Sequence, residues 1–154
     1  MNSRGLLLAE ETLKIVISLI ALGFLVYFLS ALYFNNVDGQ KQIQAESSIG
    51  RLMDVVGNVG SNSELVSEIT PAGWSLFAFN FSEKKPNLCG GQACICICDS
   101  ITFNFADRQI KECDKNGACG EIPNLGYFNE IKISSPGISL LVEKQNGGIF
   151  FTKK

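Results

Sequence analysis

Residues Ile15 to Phe34 run without a single charged side chain: Ile-Val-Ile-Ser-Leu-Ile-Ala-Leu-Gly-Phe-Leu-Val-Tyr-Phe-Leu-Ser-Ala-Leu-Tyr-Phe. As an α-helix rising about 1.5 Å per residue, this run of about 20 residues is roughly 30 Å long, the thickness of the hydrocarbon core of a bilayer. Tyr33 and Phe34 close the run with rings suited to the headgroup level, and Asn35, Asn36 and Asp38 then end the apolar character. A cleaved secretory signal would have an apolar region of about 7–15 residues and small residues at a cleavage site, and neither is present. The segment therefore reads as a retained transmembrane helix, with membrane lipid as its partner.

Met1's amine, Arg4 and Lys14 precede the span, and Lys41 and Arg51 follow it, a small bias toward a cytoplasmic N-terminus. The same orientation places all six cysteines, which lie beyond the span, outside the cytosol, where an oxidising environment sustains disulfides. The expected location is the cell membrane, single-pass, with the C-terminal portion extracytoplasmic.

Of the 154 residues, the span and the segment before it leave about 120, enough for one modest domain. Lys and Arg number 13 against 15 Asp and Glu, so there is no basic surplus to neutralise phosphates, and nucleic acid is not an expected partner. The chain has no histidine. That removes the commonest general base near neutral pH, the histidine-paired nucleophiles and all histidine-containing metal sites. Acidic residues are scattered in no catalytic or calcium-loop pattern. No enzyme activity, catalytic residue or cofactor is expected.

Before the span the chain reads Ser3-Arg4-Gly5-Leu6-Leu7-Leu8-Ala9-Glu10. A basic residue, a glycine, apolar residues and a carboxylate five positions after the glycine together resemble the leader of type IV pilins and archaeal pilin-like proteins. The resemblance implies cleavage after Gly5 by a prepilin-type peptidase, with Leu6 as the new N-terminus. It also implies that Glu10 faces the N-terminal amine of a neighbouring copy in a homo-oligomer assembled through the N-terminal helix, a charge pair in low dielectric that favours one register. The resemblance covers about 30 residues; Glu11 and Lys14 depart from it by adding charge where the family continues apolar. A plainer reading of the same residues has Glu10 and Lys14 as an exposed helical ion pair worth about 0.2–0.5 kcal/mol, leading into a simple anchor.

After Asn35 the chain is polar until Ile49, Leu52, Met53, Val56 and Val59, whose spacing suits one helical face. Gly39, Gly50, Gly57 and Gly60 each weaken a helix by roughly 1 kcal/mol, which predicts a broken or kinked stalk helix ending near Val59. Glu64 to Ile69 reads as a short helix before the turn Pro71-Ala72-Gly73. Strands are expected at 74–80, 94–98, 101–105, 109–113, 130–133, 138–143 and 148–152, with Gln145-Asn146-Gly147-Gly148 as a hairpin turn. Phe77, Phe79, Phe103, Phe105, Phe150 and Phe151 fall in these runs as core residues.

Three cysteines fall in Cys94-Ile95-Cys96-Ile97-Cys98, which as a strand turns three thiols to one face and both isoleucines to the other. Alternate residues on a strand have Cα atoms roughly 6.5–7 Å apart, at the limit of bridging, so each of the three pairs with Cys89, Cys113 or Cys119. That reduces the fifteen connectivities open to six cysteines to six. We take Cys89–Cys94, Cys96–Cys119 and Cys98–Cys113 as the working set, the other five remaining open; Asp114-Lys115-Asn116-Gly117 as a turn returns Cys113 and Cys119 beside the triplet. Metal binding and thiol-based redox chemistry are the disfavoured readings of these cysteines, because the spacing is irregular, Cys-x-x-Cys knuckles are missing and the even count suits complete pairing. Asn80-Phe81-Ser82 is an N-glycosylation acceptor sequence.

The expected fold class is α+β: a leader at 1–5, an N-terminal helix at 6–34 with its membrane span at 15–34, a helical stalk or linker at 35–71, and a disulfide-stapled antiparallel β domain at 72–154. The expected function is that of a membrane-anchored, surface-exposed structural protein, a pilin-like or pseudopilin-like subunit. The alternative is a single-pass anchored extracytoplasmic binding module that does not form fibres.

Overall fold

In the computed structural model the described residues are 3–60, 63–80, 84–99 and 106–154, with side chains from Glu11 onward and, in the last segment, from Arg108 onward. The strand expected at 101–105, with Phe103 and Phe105, lies outside them. The fold is α+β. Helix α1 (Ser3–Asn58) is followed by strands β1 (Glu64–Ile69), β2 (Trp74–Phe79) and β3 (Cys94–Asp99), helix α2 (Ala106–Lys115), and strands β4 (Gly117–Glu121), β5 (Ile131–Lys132), β6 (Ile138–Gln145) and β7 (Gly148–Lys153). The chain divides into two compact units, Met1–Gly39 and Gln40–Lys154, and α1 contributes to both.

The expected break in the stalk does not occur: α1 is one helix through Gly39, Gly50 and Gly57. None of these glycines has a neighbour that an added Cβ would touch, so they serve no close approach. Their cost, roughly 1 kcal/mol each, is outweighed within the second unit by burial of Ala45, Ile49 and Leu52 on one helical face.

The strands form two antiparallel sheets, one in the order β1-β6-β7 and the other β4-β3-β2-β5. Residues 64–69 are therefore an edge strand paired with β6 and not a short helix. The reason is a bulge. Val66 and Ile69 are both buried, a three-residue interval that imitates a helical face, and it arises because the ladder slips between them, with Glu68 at φ 59°. Residues 109–113 are likewise helical and not a strand: Gln109 and Cys113, four apart, are buried while Arg108 and Lys111 are exposed. Lys115 sits in the last turn, where a cation favours the helix terminus.

The hairpin β6–β7 turns as expected, with Asn146 at φ 50° and Gly147 at φ 80° between the paired Gln145 and Gly148. Positive φ at both central residues matches the twist of the flanking strands. Along β6, Ile138, Leu140 and Val142 alternate into the core.

One apolar core joins Ala45, Ile49 and Leu52 of α1 to residues of both sheets, among them Trp74, Leu76, Ile95, Ile97, Leu140 and Phe151. Polar contacts fix the helix beside β1. The Ser48 hydroxyl accepts a hydrogen bond from the Thr70 amide at 3.0 Å, and Arg51 Nη2 donates to the Glu68 carbonyl at 2.7 Å.

Leu52 is fully buried and Ile43 is 66% exposed on the same helix. Leu52→Ala is expected to lower the unfolding free energy of the detergent-solubilised chain by about 2–5 kcal/mol, and Ile43→Ala by less than about 0.5 kcal/mol, in chemical denaturation.

Candidate functional site

Two features carry chemistry: the apolar surface of α1 in the first unit and the sulfur cluster of the second. Every Ile, Val, Leu, Phe and Tyr from Ile15 to Phe34 is exposed, from 51% at Val16 to 73% at Tyr27. A continuous apolar surface of that length is far beyond the scattered exposure normal for a protein facing water. Among the described residues α1 is the one helix long and apolar enough to cross a membrane.

The two serine hydroxyls in the run are satisfied locally. Ser18 Oγ donates to the Lys14 carbonyl at 2.9 Å and Ser30 Oγ to the Val26 carbonyl at 2.8 Å. Each serine hydroxyl bonds within its own helix, as hydrocarbon would require. At the far end the Tyr33 and Phe34 rings meet edge to face, centroids 5.7 Å apart. Gly5, Leu6 and Glu10 fall within α1, but their side chains lie outside those described.

The sulfur cluster is built on β3. Its register against β2 sets Phe79 opposite Cys94, Phe77 opposite Cys96 and Ser75 opposite Cys98; against β4 it sets Cys96 opposite Cys119 and Cys98 opposite Gly117. Three disulfides follow: Cys89–Cys94, Cys96–Cys119 and Cys98–Cys113, with Cα separations of 5.7, 4.1 and 5.0 Å, and no cysteine is left free. This is the working set chosen from the sequence, reached by a different local route. Cys113 arrives on the buried face of α2, and only Cys119 arrives on a strand.

Each bridge depends on residues with no chemical signature of their own. Gly117 faces Cys98 across the ladder, and a Cβ there would stand 2.6 Å from the Cys113 carbonyl oxygen and 3.1 Å from Cys98 Cβ. Only glycine lets β4 pass the Cys98–Cys113 bridge. The Asp114 carboxylate accepts hydrogen bonds from Asn87 Nδ2 at 2.9 Å and from the Leu88 amide at 3.3 Å, tying α2 to the one-turn helix Asn87–Cys89 that presents Cys89. Gln109, buried beside Cys113, donates through Nε2 to the Asp99 carbonyl at 3.0 Å. Gly117 and Asp114 lay inside the segment read only as a turn, and nothing in the sequence marked Gln109 for this role.

The sulfurs of Cys89, Cys96 and Cys119 all lie within 4.8 Å of one another. Since each is engaged in a bridge, none is available as a thiolate ligand in this state. Asn80 directly follows β2, half-buried, its Oδ1 without a hydrogen-bond partner among the described residues; Phe81 and Ser82 of the acceptor sequence lie outside them.

No protein-family model, curated protein or solved structure matches this chain.

Thiol titration of the unreduced protein in denaturant is expected to find no free thiol, and six after full reduction. Gly117→Ala is expected to destabilise the fold by about 1–3 kcal/mol, read as a lower denaturation midpoint in the oxidised protein.

Proposed function

We propose that the chain is a membrane-anchored structural protein displayed outside the cytosol, a pilin-like or pseudopilin-like subunit. The observation that carries this reading is the two-sided use of α1. The same 56-residue helix carries an exposed apolar run at Ile15–Phe34 and buried core positions at Ala45, Ile49 and Leu52. A simple anchor needs only the first of these and a flexible connection to its cargo. A subunit packed through its N-terminal helix uses both: an apolar stretch to lie among neighbouring helices and a later stretch built into the core of its own head.

The disulfides support the outward orientation, because three bridges in one small domain persist only in an oxidising compartment. The N-terminal segment supplies the assembly chemistry. Cleavage after Gly5 exposes the Leu6 amine, and Glu10 offers the carboxylate that pairs with the amine of a neighbouring copy at low dielectric.

Intact-mass measurement of protein recovered from membranes is expected to find a chain beginning at Leu6. A chain beginning at Met1 and monomeric on chemical crosslinking would instead favour an anchored binding module. Glu10→Ala is expected to abolish crosslinked oligomers while leaving the thermal midpoint of the head unchanged; oligomers surviving in this variant would remove the carboxylate from the assembly mechanism.

A further inference from the structure

Two of the three bridges touch. Cys96 Sγ, bonded to Cys119, lies 3.7 Å from Cys89 Sγ and 3.8 Å from Cys94 Sγ, the two sulfurs of the neighbouring bridge. Exposure within this group is unequal. Cys89, Cys94 and Cys96 have no accessible surface, whereas Cys119 is half-buried and sits on β4, an edge strand of its sheet. The third bridge, Cys98–Cys113, is buried at both ends.

We propose that this four-sulfur cluster is a thiol–disulfide exchange site for external thiols and dithiols, entered at Cys119 and relayed through Cys96. The proposal rests on the bridges alone and does not depend on the assembly reading. An external thiolate attacks Cys119 Sγ, forming a mixed disulfide there; the Cys96–Cys119 bond breaks and its electron pair leaves on Cys96 as a thiolate. Cys96 then attacks Cys89 Sγ. The Cys89–Cys94 bond breaks, Cys89–Cys96 forms, and Cys94 departs as the new thiolate. When the reagent is a dithiol, its second thiol loses its proton to solvent and attacks the mixed disulfide, leaving as a cyclic disulfide and releasing Cys119. The balance is two electrons from the dithiol to the protein, and the protein is left with Cys89–Cys96, Cys98–Cys113 and thiols at Cys94 and Cys119.

Geometry selects both direction and target. Entry at Cys119 follows from its access at the sheet edge. Cys96 stands almost equidistant from the two sulfurs of the next bridge, beside the bond, so the side chain swings into line once its tether to Cys119 is cut. Attack on Cys94 would join alternate residues of one strand, whose Cα atoms are roughly 6.5–7 Å apart, at the limit of a disulfide. Attack on Cys89 carries no such constraint, because Cys89 arrives from the separate one-turn helix Asn87–Cys89.

The test is limited reduction of the full-length protein in detergent with dithiothreitol, quenching with N-ethylmaleimide, and assignment of the labels by fragmentation mass spectrometry. The two-electron-reduced species is expected to carry label on Cys119 and Cys94. Label on Cys96 in excess of Cys94, or first opening of Cys98–Cys113, overturns the proposal. A second measurement removes the kinetics. The double variant Cys94→Ser with Cys119→Ser leaves Cys89 and Cys96 without their partners; it is expected to be recovered with these two joined and no free thiol. Two free thiols in the folded variant, shown by a cooperative thermal transition, would overturn the proposal equally.

Discussion

Strand β3 is buried on both faces, and the second unit is organised around that constraint. Ile95 and Ile97 enter the apolar core shared with α1, while Cys94, Cys96 and Cys98 enter a separate sulfur-lined core with Phe77, Phe79 and Ile110. A strand in this position cannot shift by one residue, since the shift would drive three cysteines into the aliphatic core and leave the isoleucines where the bridges form. Register, bridge pairing and the seating of α1 are thus one condition seen from three sides. Strand β4 meets it with small residues. Gly120 lies so close to α1 that a Cβ there would stand 2.5 Å from Met53 Sδ and 3.1 Å from Ile49 Cγ2, while Gly117 makes room on the sulfur side.

That alternation was legible in the sequence, because a period of two in Cys-Ile-Cys-Ile-Cys has one physical meaning. So was the apolar run, where length and lack of charge suffice, and the Asn146-Gly147 turn, where backbone sterics leave few choices. What escaped were elements whose local pattern is overruled by tertiary pairing. β4 reads Gly-Ala-Cys-Gly-Glu, four of the five poor strand formers, and is a strand because β3 needs a partner with little bulk. β1 disguises itself through a bulge, and α2 through a heptad too short to separate a buried pair four apart from an alternating strand. The residues that orient the bridges, Asp114 and Gln109, act through a few side-chain hydrogen bonds, which carry no periodicity at all.

Helix α1 presents two kinds of surface, and its composition changes accordingly. Along Ile15–Phe34 apolar side chains surround the whole circumference, so the surface has no preferred side, and the Ser18 and Ser30 hydroxyls bond back to the helix. From Gln40 the helix becomes one-sided. Ala45, Ser48, Ile49 and Leu52 are buried, and Gln42 Nε2 reaches the Gly117 carbonyl at 2.9 Å. Glycines that would fray an isolated peptide persist because neither stretch relies on intrinsic propensity. The second is held by packing, and a stretch as apolar as the first would be held in hydrocarbon, where water cannot compete for backbone hydrogen bonds.

The bridges are less independent than their number suggests. In the chain-entropy account, closing loops of 5, 23 and 15 residues separately would restrict the unfolded chain by about 2, about 3.4 and about 3 kcal/mol. Cys98–Cys113, however, is nested inside Cys96–Cys119. Once the outer bridge has formed, the inner one joins ends already held near each other, and its added restriction is smaller. The arrangement therefore concentrates stabilisation on the Cys96–Cys119 pair, which closes the longest loop, locks β3 to β4 in register and sets the edge on which α1 rests. It is also the pair with the one half-buried cysteine of the six. Structural dependence and chemical access thus fall on the same bond, so opening it would loosen the sulfur core from its sheet edge inward, and passing the vacancy to Cys94 would keep Cys96 and Cys89 joined to β3 while that edge is free.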